Sequence, residues 1–449
     1  MRNTALLLCL LIGCASTAPE SDVPPPGEAP ESAAAPVSDP ESVPEPEPRA
    51  RVDFPSRPDL EQVLERAATV PLVEAARALV LREQGQVKQA SLAPNPRLAM
   101  SAQRWDVDDF SDGPGRRWIR LYQKFETGGK RGARTEMAEW RVREASANER
   151  FERFRVAEAA AASHQEAAVY QELVEIRVES LKTQQELLAL KVAQVKSGRE
   201  MESVLIPLQA TVGELTVRLA EERAQQRAAL RRLEGILALP TGSVEAVEGG
   251  LTLIERALPP VRDDQSWTEI NPEIATLAAA EETARSQIEH ARTLGVPDVT
   301  VGIGYENLTE LVNEPQQTFG LFLDLPLPIF DRNQGGVQSA EADLRRNAAL
   351  KEDRIARVSA RHAEIRELLA AFRLNRELYG SEIVPARQRD FEVAKQSFDS
   401  GRLDRIALTE AKLRLLKSRA ALLAIEERLT ILVLEGLALL GLPPEAWDG

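Results

Sequence analysis

The chain contains almost none of the side chains on which thiol, haem or zinc chemistry depends. Its 449 residues include 2 Cys, 3 His and 4 Met. A zinc site needs three or four Cys, His or carboxylate ligands, and thiol catalysis needs a cysteine beside a base. His164, His290 and His362 each stand alone in helical sequence, so we interpret them as ordinary helix residues. No nucleophile elbow, phosphate-binding loop or zinc-protease motif occurs, and we expect neither enzymatic activity nor a cofactor.

Aromatic residues are also scarce, and basic residues are outnumbered by acidic ones. Phe, Trp and Tyr make up 4% of the chain, which is few for packed sheet cores, whereas residues that favour helices are abundant. The 70 acidic residues exceed the 56 basic ones, giving a net charge of -14. Phosphate binding needs a concentrated basic face, so nucleic acid is not an expected partner.

The two cysteines lie at the N-terminus, in a segment typical of secretion. Arg2 precedes a short apolar run that ends in Leu11-Ile12-Gly13-Cys14 and is too short to span a bilayer. This ending resembles a bacterial lipobox, which implies cleavage before Cys14 and lipidation of its sulfur. The residue after Cys14 is Ala15 rather than Asp, which would be a retention signal. In this respect the segment is similar to lipoproteins of the outer membrane. A plain signal peptide is the alternative.

No later segment reaches the ~18 uninterrupted apolar residues of a membrane helix. The longest candidate, residues 429–442, contains Glu435. Residues 15–58 hold 12 of the 28 prolines, many acids and hardly any large apolar side chain. Such a segment cannot bury enough surface to offset its ordering entropy, so we expect an extended tether behind a lipid anchor.

The same unit occurs twice in the chain. Similar residues recur at a nearly constant separation, which defines a duplicated half-molecule rather than a solenoid repeat. The pairs 201 residues apart are Pro71 and Pro272, Pro96 and Pro297, Trp118 and Phe319, and Arg131 and Arg332. The pairs 203 residues apart are Ser197-Gly198-Arg199 and Ser400-Gly401-Arg402, Leu205 and Leu408, Leu219 and Leu422, and Leu239-Pro240 and Leu442-Pro443.

Each half contains two segments in which apolar residues alternate with small or polar ones. This period of two predicts strands of about nine to ten residues. The same alternation suits a tilted strand between lipid and an aqueous bore or a strand of a soluble sandwich, and the pattern alone does not separate them. Trp105 and Trp118 are candidates for a sparse aromatic girdle. The alternating apolar residues are Leu98, Met100, Ile119, Leu121, Val299, Val301, Ile303, Tyr305, Phe319, Leu321 and Leu323.

Long helices follow the strand pairs. Residues 129–197 contain no proline, and at ~1.5 Å per residue they predict a rod of about 100 Å. The second copy, residues 336–400, has a similar length, with a kink expected at Pro385. The returning helices carry apolar residues at spacings of three and four, as coiled coils do. The short helices at 59–93 and 204–239 together match the long helix, so we expect them to stack end to end beside it.

This order of elements resembles the outer-membrane efflux protein family of TolC-type outer-membrane factors. Leu325-Pro326-Leu327-Pro328-Ile329-Phe330-Asp331-Arg332-Asn333-Gln334-Gly335 is similar to the strand-to-helix junction of members that serve heavy-metal cation pumps. Phe125-Glu126-Thr127-Gly128-Gly129-Lys130-Arg131 is similar to the junction of the first repeat. The resemblance covers residues 59–443 and implies a mostly α protein with a small β part. In that fold a trimeric 12-stranded transmembrane β-barrel, four strands per chain, continues into a long periplasmic α-helical barrel.

A barrel shared between chains also satisfies the hydrogen bonding of the strands. Four strands cannot close, and an open sheet edge in hydrocarbon would leave backbone groups unpaired. Closed barrels begin at about eight strands, and three chains of four supply twelve. The resemblance implies a homotrimer in outer membrane lipid. It would passively export small molecules or metal cations that reach it from a periplasmic adaptor and an inner-membrane pump of the resistance-nodulation-division type.

The resemblance also implies functional residues at the end of the helices far from the membrane. Ser197, Gly198, Arg199 and Ser400, Gly401, Arg402 form the turns expected to dock on the adaptor, although each is also a plain hairpin turn. Family members carry two aperture carboxylates six and nine residues after the second turn glycine. These positions are Ala407 and Glu410 here, and Asp404 is the candidate substitute for the missing acid. Ordinary solvated acids near a helix start remain the alternative.

The predicted organisation is a signal peptide at 1–13, a tether at 14–58, a first efflux repeat at 59–240, an equatorial connector at 241–270 and a second repeat at 271–449. A periplasmic adaptor lipoprotein or a coiled-coil scaffold without a channel would share some of these features. An adaptor, however, has one helical hairpin and more β sequence, and a scaffold needs no strand pairs. The junction sequence favours metal cations as cargo, whereas the scarcity of His, Met and Cys gives no metal site to support that.

Overall fold

The computed structural model describes residues 54–104, 115–249, 258, 266–309 and 316–442. Cys14, the signal peptide, almost all of the tether, Trp105 and parts of the connector lie outside the described residues. The chain divides into two units, Met1–Val52 and Asp53–Gly449, and all the described residues belong to the second.

The two halves repeat one order of elements. The first half consists of α1 (Leu60–Ala67), α2 (Pro71–Ser91), β1 (Arg97–Arg104), β2 (Gly115–Phe125), α3 (Lys130–Lys196), a short 3₁₀ turn (Glu202–Val204) and α4 (Leu205–Ile236). The second consists of α5 (Trp267–Ile270), α6 (Pro272–Leu294), β3 (Val299–Thr309), β4 (Gln316–Asp324), α7 (Gln334–Glu377), a π-helical segment (Leu378–Ile383), α8 (Val384–Asp399) and α9 (Arg405–Leu439). The predicted duplication is therefore visible in the described elements.

Local chemistry sets the helix starts. The Asp59 carboxylate accepts from the Gln62 N–H at 2.9 Å, and the Gln62 side chain accepts from the Asp59 N–H, which forms a capping box at α1. Asn271 caps α6 by accepting from the Ile274 N–H at 3.0 Å. Pro71 and Pro272 occupy the first turns of α2 and α6, where a missing N–H costs nothing.

Helix α3 is the central rod of the fold. Its 67 residues span about 100 Å. Helices α2 and α4 both pack along it: Arg77 of α2 pairs with Glu149 at 3.3 Å, and Arg177 pairs with Glu222 of α4 at 2.6 Å. These helices therefore lie along successive parts of one long helix, as expected. The single helix predicted at 59–93 is instead divided into α1 and α2, because the chain leaves the helix at residues 68–70 and Pro71 begins the next one.

Buried clusters join the elements where the short helices meet. Val63, Val73 and Leu233 pack on the small residues Ala160 and Ala167 of α3. A second cluster connects α3 to the other half of the chain, with small residues of α3 allowing close approach. Its members include Leu60, Ala157, Ala161, Ile365, Leu369, Leu429, Val433 and Leu437.

The second long helix is interrupted at the place where Pro385 predicts a kink. Residues Leu378–Ile383 form a π-helical segment between α7 and α8, and the N–H of Val384 bonds to the Tyr379 carbonyl. A proline has no N–H and its ring crowds the preceding turn, so the helix widens there instead of continuing unchanged. The helix therefore changes type just before Pro385, where the sequence predicts a kink.

The four strands form one antiparallel sheet in the order β1-β2-β3-β4. The register pairs Leu98 with Leu121, Leu121 with Ile303, and Ile303 with Leu321. The sheet is thus shared between the two halves through the β2–β3 pair. Among the described strands, β1 and β4 each have a neighbour on one side only. Within the described residues, no helix is both long enough and apolar enough to cross a membrane.

Candidate functional site: the sheet, the helix turns and the aperture residues

One face of the sheet, called the outer face below, is apolar and exposed. Because side chains alternate along each strand, the register brings the predicted apolar positions together on this face. Phe319, Leu321 and Leu323 are 83%, 76% and 71% exposed, respectively. The apolar members of the outer face are Leu98, Met100, Ile119, Leu121, Phe125, Val299, Val301, Ile303, Tyr305, Phe319, Leu321 and Leu323. A contiguous apolar surface of this kind marks contact with lipid or another apolar partner.

The opposite, inner face is polar and carries a connected set of charges. Arg116 of β2 pairs with Glu306 of β3 through two hydrogen bonds of 2.5 and 3.1 Å. Arg120, four residues along, lies 3.5 Å from the same carboxylate. Its guanidinium also lies 4.5 Å from the ring centres of both Trp118 and Phe322. Two arginines therefore share one acid, and the second is held against aromatic rings.

Glycines on β3 make room for these side chains. A Cβ at Gly304 would lie 2.8 Å from both Arg120 Cγ and Phe322 Cε2. A Cβ at Gly302 would lie 2.6 Å from the Tyr122 ring. The rings thus approach the backbone of the neighbouring strand closely, which only glycine allows.

The structure corrects the girdle interpretation for Trp118. This residue is paired with Ser101 and Glu306, on the inner face, and lies one position from the apolar Ile119. A girdle residue would share the outer face with Ile119, because successive side chains of a strand point to opposite faces. Trp105, the other candidate, lies outside the described residues.

Below the sheet, the strand-to-helix junctions are tied together by Asp298. This carboxylate lies 2.6 Å from Lys130 Nζ and 2.8 Å from Lys124 Nζ, and it accepts from the Thr127 N–H at 3.3 Å. Burial raises the pKa of Asp298, but the hydrogen bonds from both lysines and Thr127 outweigh it, and the pKa falls to about 2. Nearby, Arg134 holds Glu126 at 2.6 Å and lowers the pKa of that carboxyl.

The two predicted turns have the same backbone geometry. Gly198 and Gly401 adopt φ of 72° and 75°, in the left-handed region that favours glycine. The N–H of the residue after each glycine bonds back to the last helical turn, from Arg199 to the Gln194 carbonyl at 3.0 Å and from Arg402 to the Ser397 carbonyl at 2.9 Å. Both helices thus end in a Schellman motif. Ser197 and Ser400 donate their hydroxyls to the same turns, at 2.9 and 3.0 Å.

The aperture candidates differ in their surroundings. Asp404 is the N-cap of α9, where its carboxylate accepts from the Ala407 N–H at 2.8 Å. Glu410 lies on the first turns of α9 and is exposed. Asp404 therefore has a structural role whatever else it does, and the two acids do not occupy equivalent helical positions.

No group of three or more His, Cys, Asp and Glu side chains is arranged to hold a metal ion in the part of the chain that the structure describes. His164 is buried, with Nε2 3.2 Å from the Pro58 carbonyl. His362 packs edge-on against Trp267, with ring centres 5.5 Å apart. These contacts are those of core residues.

Comparison with solved structures places this architecture in a class. CusC superimposes with a TM-score of 0.67 at 14% identity, over 88% of this chain and 95% of that one. The outer membrane protein VceC of Vibrio cholerae superimposes with a TM-score of 0.65 at 18% identity, over 85% and 96%. The MtrE outer membrane channel of Neisseria gonorrhoeae gives 0.66 at 15% identity, over 88% and 93%. The fold is that of the TolC-like outer-membrane channels, as the sequence predicts.

Sequence comparison agrees with this fold. Residues 265–441 match the model of the family described as outer membrane efflux protein, which is the family that the sequence resembles. A relative, the cobalt-zinc-cadmium resistance protein CzcC of Cupriavidus metallidurans, is 26% identical over 212 residues. That match covers 46% of this chain and spans about half, 49%, of the relative's length.

Proposed function

We propose that the chain is the outer-membrane channel of a tripartite efflux system and that it conducts passively. The observation that carries this proposal is the four-stranded sheet, which combines an exposed apolar outer face, a charged inner face and two open edges. An apolar outside and a polar inside are what a transmembrane barrel requires. Passive conduction needs no catalytic residue and no cofactor.

Closure requires further copies of the chain. The strands alternate in direction from β1 to β4, so β4 of one copy runs antiparallel to β1 of the next. Three copies supply twelve strands, which exceeds the ~8 needed for a closed barrel and leaves room for a bore. We therefore propose a homotrimer whose helices form the periplasmic conduit.

The proposed lipid anchor and partner contacts are assigned from the positions of Cys14 in the chain and of the two turns at the ends of the helices. Cys14 is proposed to carry a lipid in the outer membrane, with residues 14–58 as the tether. The turns at Ser197-Gly198-Arg199 and Ser400-Gly401-Arg402 are proposed to contact a periplasmic adaptor, beyond which lies an inner-membrane pump of the resistance-nodulation-division type. Because CzcC is named for cobalt, zinc and cadmium resistance, metal cations are the first cargo to test, beside other small molecules.

A matched pair of variants tests the membrane assignment. Phe319→Asp places a charge on the outer face, and Thr318→Asp places one on the inner face of the same strand; both positions are exposed. A charge facing hydrocarbon is destabilising by a few kcal/mol, whereas one facing water is tolerated. Only Phe319→Asp should abolish heat-modifiable trimers in outer-membrane fractions and conductance in planar bilayers.

Equal tolerance of both substitutions, or a parent protein that stays monomeric and non-conducting, would contradict the channel. Release of the Cys14→Ser protein from membranes without detergent would instead favour a peripheral adaptor or scaffold.

A further inference from the structure

A cleft lies on the inner face of the sheet, at the end nearest the helices. Its volume is about 810 Å³, within the range of small-molecule sites. The inner-face side chains that line it are Arg97, Tyr122, Lys124, Thr300, Phe322 and Asp324. Its position inside the bore rests on the proposed function, but its composition does not.

Basic groups outnumber acids around this cleft. The Arg97 side chain is exposed, its guanidinium lies 5.1 Å from the centre of the Tyr122 ring, and it forms no ion pair with any described residue. Lys124 shares the single carboxylate of Asp298 with Lys130, so two ammonium groups face one acid. Asp324 is the acid of the lining itself. An anion entering the cleft would therefore find uncompensated positive charge.

The same cleft offers aromatic surfaces. The rings of Tyr122 and Phe322 lie 6.2 Å apart at 52°, with Gly302 beneath Tyr122. Arg120 lies outside the lining, where its guanidinium contacts the Phe322 ring at 4.5 Å and Glu306 at 3.5 Å. Planar guanidinium groups stack on aromatic rings while their N–H groups bind anionic oxygens. Among the described residues of the lining, a bare divalent cation finds neither a carboxylate cluster nor an imidazole.

We propose that this cleft binds organic anions that carry an aromatic ring, and that Arg97 and Tyr122 determine this preference. The site would make the sheet region of the bore a selective surface, distinct from the helix ends. Permeants of this class would dwell at the cleft, whereas metal cations would pass without binding.

The test uses pyranine, a trisulfonated pyrene dye, with citrate as an anion that has no ring. Binding is followed by fluorescence anisotropy of the dye with the detergent-solubilised full chain, and blockade by single-channel recording. Arg97→Gln should weaken pyranine binding about tenfold, as loss of one charged hydrogen bond does. Arg97→Lys should restore part of it. Arg117→Gln is the matched control, since Arg117 lies on the outer face.

The aromatic contribution is measured separately. Tyr122→Leu should weaken pyranine binding and leave citrate binding unchanged. Unchanged pyranine binding in Arg97→Gln, or an equal loss in Arg117→Gln, would overturn the site. If the protein conducts ions but does not bind the dye, only the proposed anion site is contradicted. If it binds the dye but does not conduct, the proposed channel function is contradicted and the anion site stands.

Discussion

Asp298, the residue before β3, accepts a hydrogen bond of 2.6 Å from Lys130, the first residue of α3. The pair joins the second repeat to the first at the level where strands become helices. Both side chains are largely buried, with 14% of Asp298 and 9% of Lys130 exposed. Breaking one partner of such a pair leaves a desolvated charge, which costs more than losing a surface ion pair.

Asp298→Asn should therefore destabilise the protein by about 1–3 kcal/mol at neutral pH. The stabilisation is present above the ordinary pKa of 3.8 and is lost as the pH falls toward 2, because the pKa of Asp298 is lowered in the fold. Thermal unfolding followed by circular dichroism measures the change. Asp353→Asn, at an exposed pair with Arg357, is the control and should cost under ~0.5 kcal/mol. Similar losses of stability in Asp298→Asn and Asp353→Asn would contradict a stabilising role for the pair at the strand-to-helix junction.

A turn glycine and a helix glycine should respond oppositely to the same substitution. Gly401→Ala forces alanine into a left-handed conformation and should cost about 1 kcal/mol. Gly213→Ala makes the same chemical change inside α4, where an added Cβ meets nothing within 4 Å, and should stabilise by ~0.5–1 kcal/mol. Denaturant midpoints at equal protein concentration give both values. A loss of stability in Gly213→Ala would show that another copy of the chain fills the space beside Gly213 in the assembly.

Glu158 should make stability depend on pH near neutrality. Burial first, and then the charge of Glu435, raise the pKa of Glu158 from 4.5 to about 7. The folded state therefore holds a proton that the unfolded state releases, so stability falls as the pH rises from 4.5 to about 7. Arg361 pairs with Glu435 at 2.6 Å and limits the repulsion.

Glu158→Gln should flatten this pH dependence and raise the thermal unfolding midpoint at pH values above ~7, where the parent must ionise the buried acid. Glu186→Gln, an exposed position on the same helix, should leave the dependence intact. A parent protein whose midpoint is constant across this pH range would contradict the assignment.

The aperture residues need variants that separate charge from capping. Asp404→Ala removes the N-cap of α9 and should cost about 1 kcal/mol, whereas Asp404→Asn keeps a capping oxygen and removes only the charge. If the acids line the bore, Asp404→Asn and Glu410→Gln should each reduce cation selectivity in reversal-potential measurements. Unchanged selectivity in both would remove the aperture assignment while leaving the channel.

Local periodicity predicts most elements of this fold, although it misses the break between α1 and α2. Alternation identifies the four strands, the absence of proline identifies α3, and Pro385 marks the interruption of the second long helix. These features depend on residues close together in sequence, so a single chain carries the signal.

The register of the paired strands cannot be predicted from local periodicity. The contact of Arg120 with Phe322, and the space that Gly304 leaves for both, depend on pairing between strands nearly 200 residues apart. The ion pairs of Asp298 could not be predicted from the sequence, because an isolated acid before a strand could pair with many different basic residues. The face of Trp118, by contrast, is readable from its position next to Ile119.

The π-helical segment at Leu378–Ile383 makes the two halves mechanically unequal. The first long helix is an unbroken rod, whereas its duplicate contains one turn with looser hydrogen bonding. Bending of the second long helix would therefore concentrate at that turn. In the proposed trimer, stiff and flexible long helices would then alternate around the helical cylinder. A twist applied at one end of the cylinder would be absorbed at a single height.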